Sequence, residues 1–319
     1  MSPRPFRFGV LAERDAQTPK VLLDTARRAE DEGFSTFLIR DHFIAEPFGH
    51  QLAPLTTLAT VASVTKRLRI GSLVFASAYR HPVLLAKEIA TLDVLSEGRV
   101  ELGLGTGFSR REYDQAGMRF ETPRERLERL KEVVQVLKGL FADGRFTFTG
   151  TYYTLTDLES FPKPVQRPHP PILIGGAGPR VLALAAREAD IIGLQTAVTQ
   201  GGAVAREAQA RLPETVVQKI QSVRQSAGPR FDQLELSSLA SVLVTDRREE
   251  AAQRFAHEQG WSAIPAETVL GMPSVFIGTT EQIIADMRKR RDEFGLSYYV
   301  ISDRVIEDVA PVVRRLAGT

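Results

Sequence analysis

Apolar and polar positions form a repeating pattern along this chain, and residues 69–107 show the repeat most clearly. An apolar, β-branched run at 70–75 is followed by a helical pattern at 83–95 and by a second apolar run at 100–104. Strand patterns that are apolar on both faces and joined by a helix are typical of parallel sheets, in which both faces are covered. The stretch therefore predicts one strand–helix–strand unit.

The same unit recurs from one end of the chain to the other. The predicted strands are residues 6–12, 36–39, 69–75, 100–104, 171–174, 190–194, 234–244 and 298–301. The predicted helices are residues 20–32, 55–64, 83–95, 124–141, 180–188, 280–294 and 305–316, with further helical sequence before Ser226 and after a capping box at Asp246 and Glu249. Eight strands, nearly all followed by helices, favour a (β/α)8 TIM barrel, with an open doubly wound sheet as the alternative.

No break in composition divides the chain, which predicts a single barrel domain over residues 1–319. Three segments depart from the repeat and are predicted to be insertions, near residues 108–123, 144–170 and 260–278. The first is a long loop, and loops of that length tend to be functional. The second begins with alternating aromatic and polar residues, which predicts a hairpin, and continues as proline-rich extended chain. The third is predicted to be irregular.

The composition of the chain mainly excludes certain partners and certain kinds of chemical site. The 41 Lys and Arg residues exceed the 39 Asp and Glu residues by only two, so nothing indicates a nucleic acid or an anionic membrane as partner. The absence of cysteine excludes disulfides, a thiolate nucleophile and cysteine-ligated metals. No apolar run approaches the roughly 20 residues that span a bilayer, and the first residues lack the apolar region of a signal peptide. We therefore expect a cytoplasmic protein.

Barrels of this kind bind ligands and carry out catalysis at the carboxyl ends of their strands. The residues predicted there are Glu13, Arg40, Asp41, His42, Ala76, Ser77, Thr106, Gly107, Phe108, Gly175 to Gly178, Gln195, Thr196, Thr245, Asp246, Asp303 and Arg304. The set contains no lysine for a Schiff base and no acidic cluster for magnesium, and the five histidines lack metal-site spacing. The sequence therefore predicts no metal centre.

A glycine-rich turn at residues 175–178 follows the fifth predicted strand and precedes Pro179. Glycines allow the backbone to turn tightly, and proline fits the first position of a helix. Free N–H groups and the helix dipole would then face an anion. The turn predicts a phosphate site, and a tight connection without a ligand is the alternative.

The second predicted strand leads into Asp41 and His42. Histidine can donate or accept a proton near neutral pH, and an adjacent carboxylate can hold a partner group. A loop acid beside a helix-capping imidazole is the alternative. Glu13 fits either a pocket rim or a solvated loop. A surface turn is the favoured interpretation of Arg80, and the role of His81 is left open.

Glycines at positions 103, 105 and 107 alternate with other residues at the end of the fourth predicted strand. One face of this strand end carries no side chain, so a flat ring could approach the backbone there. Tight packing on a neighbouring strand is the alternative. No helix begins directly after these glycines, so the dinucleotide-binding fingerprint is excluded.

Taken together, the motifs resemble the bacterial-luciferase-like superfamily over residues 6–195. The motifs are Asp41-His42-Phe43, Ile70-Gly71-Ser72, Tyr79-Arg80-His81-Pro82, Leu92-Asp93, Leu95-Ser96, Gly98-Arg99, Gly103-Leu104-Gly105-Thr106-Gly107 and Pro171-Ile172-Leu173-Ile174-Gly175-Gly176. Within the superfamily, the Asp-His pair and the Gly-Thr-Gly sequence are most similar to the branch that uses the deazaflavin coenzyme F420.

The resemblance implies an oxidoreductase that transfers a hydride between F420 and an organic substrate. His42 would be the proton donor or acceptor beside the reacting carbon, with Asp41 next to it. A non-proline cis peptide near Leu73 and Val74 would support the ring. The implied cofactor-binding residues are Asp41, Leu73, Val74, Thr106, Gly107, Gly175, Gly176, Ala177, Gly178 and Gln195.

Two departures from the sugar-phosphate dehydrogenases of this branch bear on the substrate. Those enzymes carry a glutamate after Gly-Thr-Gly and a tryptophan shortly after Asp-His, whereas this chain has Phe108 and Glu46 at about those positions. We therefore expect a fairly apolar small molecule rather than a sugar phosphate. The predicted substrate pocket comprises Glu13, Phe43, Tyr79, His81 and Phe108.

Two other functions stay open at this point. The first is an FMN-dependent monooxygenase that uses oxygen and receives reduced flavin from a separate reductase. The second is a catalytically silent flavin-binding protein. The resemblance also implies a homodimer.

Overall fold

The computed structural model describes residues 4–13, 18–194 and 204–319. The strands are β1 (Arg7–Leu11), β2 (Thr36–Ile39), β3 (Arg69–Ser72), β4 (Phe75–Ala76), β5 (Val100–Gly105), β6 (Phe146–Thr149), β7 (Thr154–Leu158), β8 (Ile172–Gly176), β9 (Ile191–Leu194), β10 (Glu235–Val244), β11 (Val275–Gly278) and β12 (Leu296–Ser302). The helices are α1 (Pro19–Asp31), α2 (Pro54–Val64), α3 (Pro82–Leu95), α4 (Arg110–Gln115), α5 (Pro123–Phe141), α6 (Pro179–Glu188), α7 (Val204–Arg211), α8 (Pro213–Ala227), α9 (Arg248–Glu258), α10 (Ala266–Gly271), α11 (Thr280–Phe294) and α12 (Ile306–Leu316).

Eight of these strands close a parallel barrel. In order around the barrel they are β1, β2, β3, β5, β8, β9, β10 and β12, and β12 pairs again with β1. Most of their residues are buried, because neighbouring helices cover the outside and side chains fill the inside. The predicted (β/α)8 barrel is confirmed, and the open-sheet alternative is wrong.

The predicted strand at 69–75 is interrupted in the structure. Strand β3 ends at Ser72 and β4 begins at Phe75, and the peptide bond between Leu73 and Val74 is cis. The cis peptide implied by the resemblance is thus present at the expected place. A Cβ atom at Gly103 on β5 would collide with the carbonyl oxygen of Ser72, and one at Gly105 would lie 2.5 Å from Cγ2 of Val74. Tight strand packing is therefore what these two glycines allow.

The three segments outside the repeat contain more regular structure than the sequence indicates. The first holds α4, and the second forms the predicted hairpin, β6 paired antiparallel with β7. The third is not irregular: it contains α10 and β11, and β11 extends the sheet by pairing with the second half of β10. Trp261 and Met272 are buried there in a small separate apolar cluster. The short strand was missed because it directly follows Met272, Pro273 and Ser274, which carry no strand pattern.

The capping box predicted at Asp246 and Glu249 is wrong. Helix α9 begins at Arg248, so its N-cap position is Arg247 rather than Asp246, and an arginine side chain has no acceptor with which to cap it. Thr245 Oγ1 accepts a hydrogen bond of 3.1 Å from the backbone N–H of Arg247. Capping boxes start two other helices, at Thr122 for α5 and at Thr279 for α11.

A network of charged side chains crosses the barrel interior at the amino ends of the strands. Arg7 donates to Glu101 at 2.6 Å and to Glu235 at 2.5 Å, and the Tyr298 hydroxyl donates to Glu101 at 2.8 Å. Burial alone would lower the pKa of Arg7, but the nearby carboxylates outweigh it and raise the pKa. Burial raises the pKa of Glu235. This network lies at the end of the barrel opposite to the predicted site.

None of the helices in the described ranges is long and apolar enough to cross a membrane.

Candidate active site

A cavity of about 420 Å³ opens where the barrel strands end. This volume is within the range of small-molecule sites in proteins. The residues that line it come from seven of the eight barrel strands and from the segments that follow them. They are Leu11, Arg40, Asp41, His42, Phe48, Leu73, Val74, Ala76, Tyr79, Gly105, Thr106, Gly107, Phe108, Glu112, Arg126, Gly175, Gly176, Ala177, Arg211 and Leu239.

Asp41, at the end of β2, forms a buried ion pair with Arg80. The two nitrogens of the guanidinium donate to the two carboxylate oxygens at 2.6 and 3.0 Å, and the backbone N–H of Ala76 donates at 3.2 Å. Arg80 therefore does not lie on a simple surface turn, as the sequence favoured. It was misinterpreted because its partner is 39 residues away in the chain. The pair ties the end of β2 to the segment after β4.

His42 is held by a carboxylate that the sequence did not single out. Its Nδ1 lies 2.8 Å from Oε2 of Glu112 on α4, and the Glu112 side chain is fully buried. The other oxygen, Oε1, accepts the backbone N–H groups of Phe43 at 2.6 Å and Ile44 at 3.3 Å. A carboxylate only accepts hydrogen bonds, so Nδ1 carries the proton in this pair. The remaining ring nitrogen, Nε2, makes no hydrogen bond with the described part of the chain.

Tyr79 adds a third contact to this buried carboxylate. Its hydroxyl donates to Oε2 of Glu112 at 3.3 Å, and its ring stacks on Phe43 at 4.4 Å between centroids. Burial, together with the negative charge of Glu112, raises the pKa of Tyr79 well above its ordinary value. The phenol is therefore a hydrogen-bond donor throughout the physiological pH range.

Two phenylalanines flank the His42 ring on the cavity wall. Phe48 lies 4.9 Å away and Phe108 lies 5.6 Å away in an edge-to-face arrangement. The part of the wall beside the imidazole is thus aromatic, and a bound molecule would displace water from it. Phe108, which was predicted for the substrate pocket, lines the cavity in the structure.

Glu13 lies behind the cavity wall rather than on it. Its carboxylate forms an ion pair with Arg40, whose guanidinium carbon lies 4.4 Å from the centre of the Phe48 ring. The backbone N–H of Glu13 donates to Asp303 at 3.0 Å. Glu13 is thus neither a free rim carboxylate nor a solvated loop acid, because it holds Arg40 in the wall.

The glycine turn at residues 175–178 forms another part of the cavity wall. Gly175, Gly176 and Ala177 line the cavity, and Gly178 is the residue before α6, with Pro179 at the first helical position. Within the described chain, no atom lies within 4 Å of a Cβ built on Gly178. An open turn at the start of a ten-residue helix presents backbone N–H groups and the positive end of the helix dipole. This arrangement fits a phosphate group.

The structure therefore brings most of the predicted site residues into one space. Among the described residues predicted to bind the cofactor or the substrate, Gly178, Glu13, Phe43 and His81 are the exceptions. Five further residues that were predicted at strand ends also do not line the cavity, namely Ser77, Thr245, Asp246, Asp303 and Arg304. Phe43 is 54% exposed and packs on Tyr79 outside the cavity. His81 is exposed and caps α3, where its Nδ1 accepts the backbone N–H of Val83 at 3.3 Å. Gln195 and Thr196 lie outside the described residues.

The sequence missed three charged residues on the wall, Glu112, Arg126 and Arg211. Arg211 is the last residue of α7, and the first two lie close together in the chain. Glu112 and Arg126 lie in or next to the segment predicted as one long loop. Helix α4 has only six residues, too few for a periodic apolar pattern, and Arg126 follows a capping box in the polar first turn of α5. The length of the predicted loop was the only signal that pointed to this region.

Fold and site together define a TIM-barrel protein with a ligand cavity at the carboxyl ends of its strands. The sequence model of the luciferase-like monooxygenase family matches residues 5–293, and the chain belongs to that family.

Individual relatives carry more specific names. An F420-dependent glucose-6-phosphate dehydrogenase of Nakamurella multipartita is 31% identical over 323 residues, which cover 98% of this chain and 88% of that protein. An F420-dependent hydroxymycolic acid dehydrogenase of Mycobacterium tuberculosis is 34% identical over 197 residues, 59% of this chain and 53% of that protein. The latter match thus spans about half of the relative.

A solved structure has the same fold. It is an F420-dependent secondary alcohol dehydrogenase in complex with an F420–acetone adduct, with a TM-score of 0.75 and 20% sequence identity over 98% of both chains.

Proposed function

We propose that this protein is an F420-dependent oxidoreductase that transfers a hydride between the coenzyme and a small, fairly apolar organic substrate. The observation that carries the proposal is the cavity, whose wall contains both the His42–Glu112 pair and the glycine turn. The names of the curated relatives support the choice of F420 as cofactor.

The chain's own residues fit such a coenzyme. The turn at residues 175–178 offers backbone N–H groups to a phosphate. Leu73, Val74 and Thr106 line the cavity between this turn and His42, and would contact the ring. When bound, the deazaflavin supplies the carbon that gives or receives the hydride. Asp41 would contact the coenzyme at the edge of the ring, and Arg80 would hold the Asp41 side chain in place.

His42 would move the proton that accompanies the hydride. Glu112 holds the proton on Nδ1, which leaves Nε2 to accept a proton from a substrate hydroxyl or to return it to a carbonyl oxygen. The buried carboxylate also stabilises the imidazolium that forms when Nε2 is protonated. Asp41 is not the partner of His42 despite being its neighbour, because both of its oxygens are bound by Arg80.

The aromatic wall supports an apolar substrate. Phe48 and Phe108 flank His42, so the group that reacts would lie beside two aromatic rings. Phe108 stands where sugar-phosphate dehydrogenases of this branch are expected to have a glutamate. We therefore favour an alcohol or a carbonyl compound with an apolar body over a sugar phosphate.

Turnover under defined cofactor conditions tests this function. The purified protein is mixed with oxidised F420 and a panel of apolar alcohols, or with reduced F420 and the matching carbonyl compounds, in the absence of oxygen. We expect the visible absorption of the coenzyme to change with at least one pair. Activity only with reduced FMN, a reductase and oxygen would instead identify a monooxygenase. Binding of the coenzyme without turnover of any compound would favour the catalytically silent alternative.

We also propose that the protein forms a homodimer. Large apolar side chains are exposed on α3 and on the neighbouring proline-rich segment, namely Leu84, Leu95, Phe161 and Val165. Lys87 of α3 donates to the carbonyl oxygen of Phe161 at 2.7 Å, so these side chains belong to one surface. Exposed apolar patches commonly mark interfaces. Light scattering that gives the mass of one chain would contradict this proposal. The cytoplasmic location stays a prediction from the sequence.

A further inference from the structure

Arg126 reaches the cavity wall from the first turn of α5. One of its terminal nitrogens, Nη1, donates a hydrogen bond to the carbonyl oxygen of Gly107, which also lines the cavity. Its guanidinium carbon lies 4.3 Å from the centre of the Phe120 ring. The position of this side chain is thus fixed by a backbone contact and by an aromatic ring.

The electrostatic surroundings of Arg126 differ from those of other charged groups on the wall. Asp41 is paired with Arg80, Arg40 with Glu13, and Glu112 with His42. No carboxylate in the described ranges forms an ion pair with Arg126, and its one acceptor is a neutral carbonyl. Burial accordingly lowers the pKa of Arg126. The attraction of Glu121, which is itself paired with Arg129, offsets this effect only in part. A partly buried cation without an ion-pair partner of its own is costly, and an anion beside it would recover that cost.

Two hydrogen-bond donors next to Gly107 also lack acceptors among the described residues. Nε of Arg126 and the hydroxyl of Tyr113 are both buried and make no hydrogen bond. The hydroxyl lies against Gly107, close enough to collide with a Cβ atom at that position. Buried donors are normally paired, so two unpaired donors beside Gly107 mean that this part of the wall holds more hydrogen-bond donors than acceptors. Of the two side chains, Arg126 is the one that lines the cavity.

We propose that Arg126 forms a subsite for an anionic oxygen group, a carboxylate or a phosphate, of a molecule bound in the cavity. The inference rests on the proposed function, since the anion can belong to the acidic tail of the coenzyme or to the substrate. Arginine suits either source, because its planar guanidinium can donate two parallel hydrogen bonds. If the substrate is the source, it combines an apolar body beside Phe108 with a carboxylate beside Arg126.

Three variants of the full chain test the proposal. Arg126→Met removes the charge, and Arg126→Lys keeps the charge together with a donor for Gly107. Arg124→Met is the matched control, because Arg124 is an exposed arginine in the same helical turn. Thermal unfolding is measured first, and Arg126→Gln, which keeps an N–H donor but not the charge, becomes the test variant if Arg126→Met does not fold.

The first arm of the experiment measures the affinity of each variant for F420 and for the same deazaflavin without its phosphate and tail. The second arm measures binding of phenylacetate and of its neutral analogue phenylacetamide, with and without bound coenzyme. If the coenzyme is the source, Arg126→Met weakens F420 about tenfold or more and leaves the tail-less deazaflavin unchanged. If the substrate is the source, F420 binding is unchanged, and the preference for phenylacetate over phenylacetamide falls about tenfold or more. Because Arg126→Lys keeps the positive charge, it should retain more than half of the wild-type affinity for F420, or of the wild-type preference for phenylacetate.

Two results would overturn the proposal. One is unchanged F420 affinity together with an unchanged preference for phenylacetate. The other is an equal loss for charged and neutral ligands, which would mean that Arg126 only supports Gly107. Failure of the wild-type protein to bind F420 would contradict the proposed function. The phenylacetate arm without coenzyme would still decide the role of Arg126.

Discussion

Nδ1 of His42 lies 2.8 Å from Oε2 of Glu112, a residue 70 positions later in the chain whose side chain is fully buried. The contact joins the end of β2 to helix α4 and sets which nitrogen of the imidazole faces the cavity as a proton acceptor. The proposed chemistry depends on this relationship more than on the neighbouring Asp41.

Replacing Glu112 by glutamine tests the relationship. The amide oxygen can still accept from Phe43, but the amide N–H₂ group would then face Nδ1 of His42 and favour the wrong tautomer. We expect turnover to fall about 10²- to 10⁴-fold while affinity for F420 changes less than about threefold. Steady-state kinetics and a coenzyme titration measure the two effects. Glu128→Gln, at an exposed position of α5, is the control. An equal loss of turnover and of coenzyme affinity would mean that Glu112 is only structural.

The ion pair between Asp41 and Arg80 predicts a strong and asymmetric effect on stability. Arg80→Met leaves the buried carboxylate of Asp41 without its partner, which costs about 3–5 kcal/mol of unfolding free energy. The double variant Asp41→Asn and Arg80→Met should recover part of that loss. Arg145→Met breaks an exposed pair with Asp157 and should cost at most about 1 kcal/mol. Urea denaturation measures all three variants, and similar losses for Arg80→Met and Arg145→Met would contradict the account.

Gly103 is predicted to tolerate no side chain. A Cβ atom there would collide with the backbone carbonyl of Ser72, which cannot rotate away. Gly103→Ala should therefore lower the free energy of unfolding by about 3 kcal/mol or more, or prevent folding. Gly271→Ala is the control, since no described atom lies within 4 Å of a Cβ built there. The prediction fails if the two alanine variants unfold at the same urea concentration.

The phenol of Tyr113 should titrate late. Burial raises its pKa from 10.0 to about 12. Because the folded state keeps this proton longer than the unfolded state does, the stability from Tyr113 is fully present below pH 10 and is lost as the pH rises through about 12. Ultraviolet titration of the wild type and of Tyr113→Phe gives the difference of one phenol. Ionisation of that phenol near pH 10 in the folded protein would disprove the prediction.

The barrel could be predicted from sequence because its strands are continuous apolar runs that the helices separate regularly. Sequence signals also placed the glycine turn, since glycines followed by Pro179 have a local physical meaning. The residues that follow each strand could be identified because the apolar runs show where the strands end. His42 and Phe108 reached the cavity wall because strand ends converge in a barrel.

Contacts between side chains that are far apart in the chain could not be predicted from the sequence in this way. Arg80 contacts Asp41, and Glu112 contacts His42, only once distant segments of the chain have folded together. Neither Arg80 nor Glu112 lies in a sequence pattern that indicates its partner. His81 was placed in the pocket because it is a histidine near a strand end, yet the local geometry before Pro82 makes it the cap of α3. The strand Val275–Gly278 was missed because four residues after a proline give too short a pattern.

The central claim, that this cavity is built for F420, is tested most directly by titrating the purified chain with F420 and with FMN in parallel and measuring quenching of its fluorescence. We predict saturable binding of F420, at least about tenfold tighter than that of FMN. Gly178→Asp, which puts a carboxylate into the glycine turn at a position with space for a side chain, should abolish that binding, while Gly271→Asp should not. Saturable binding of FMN without binding of F420 would contradict the account.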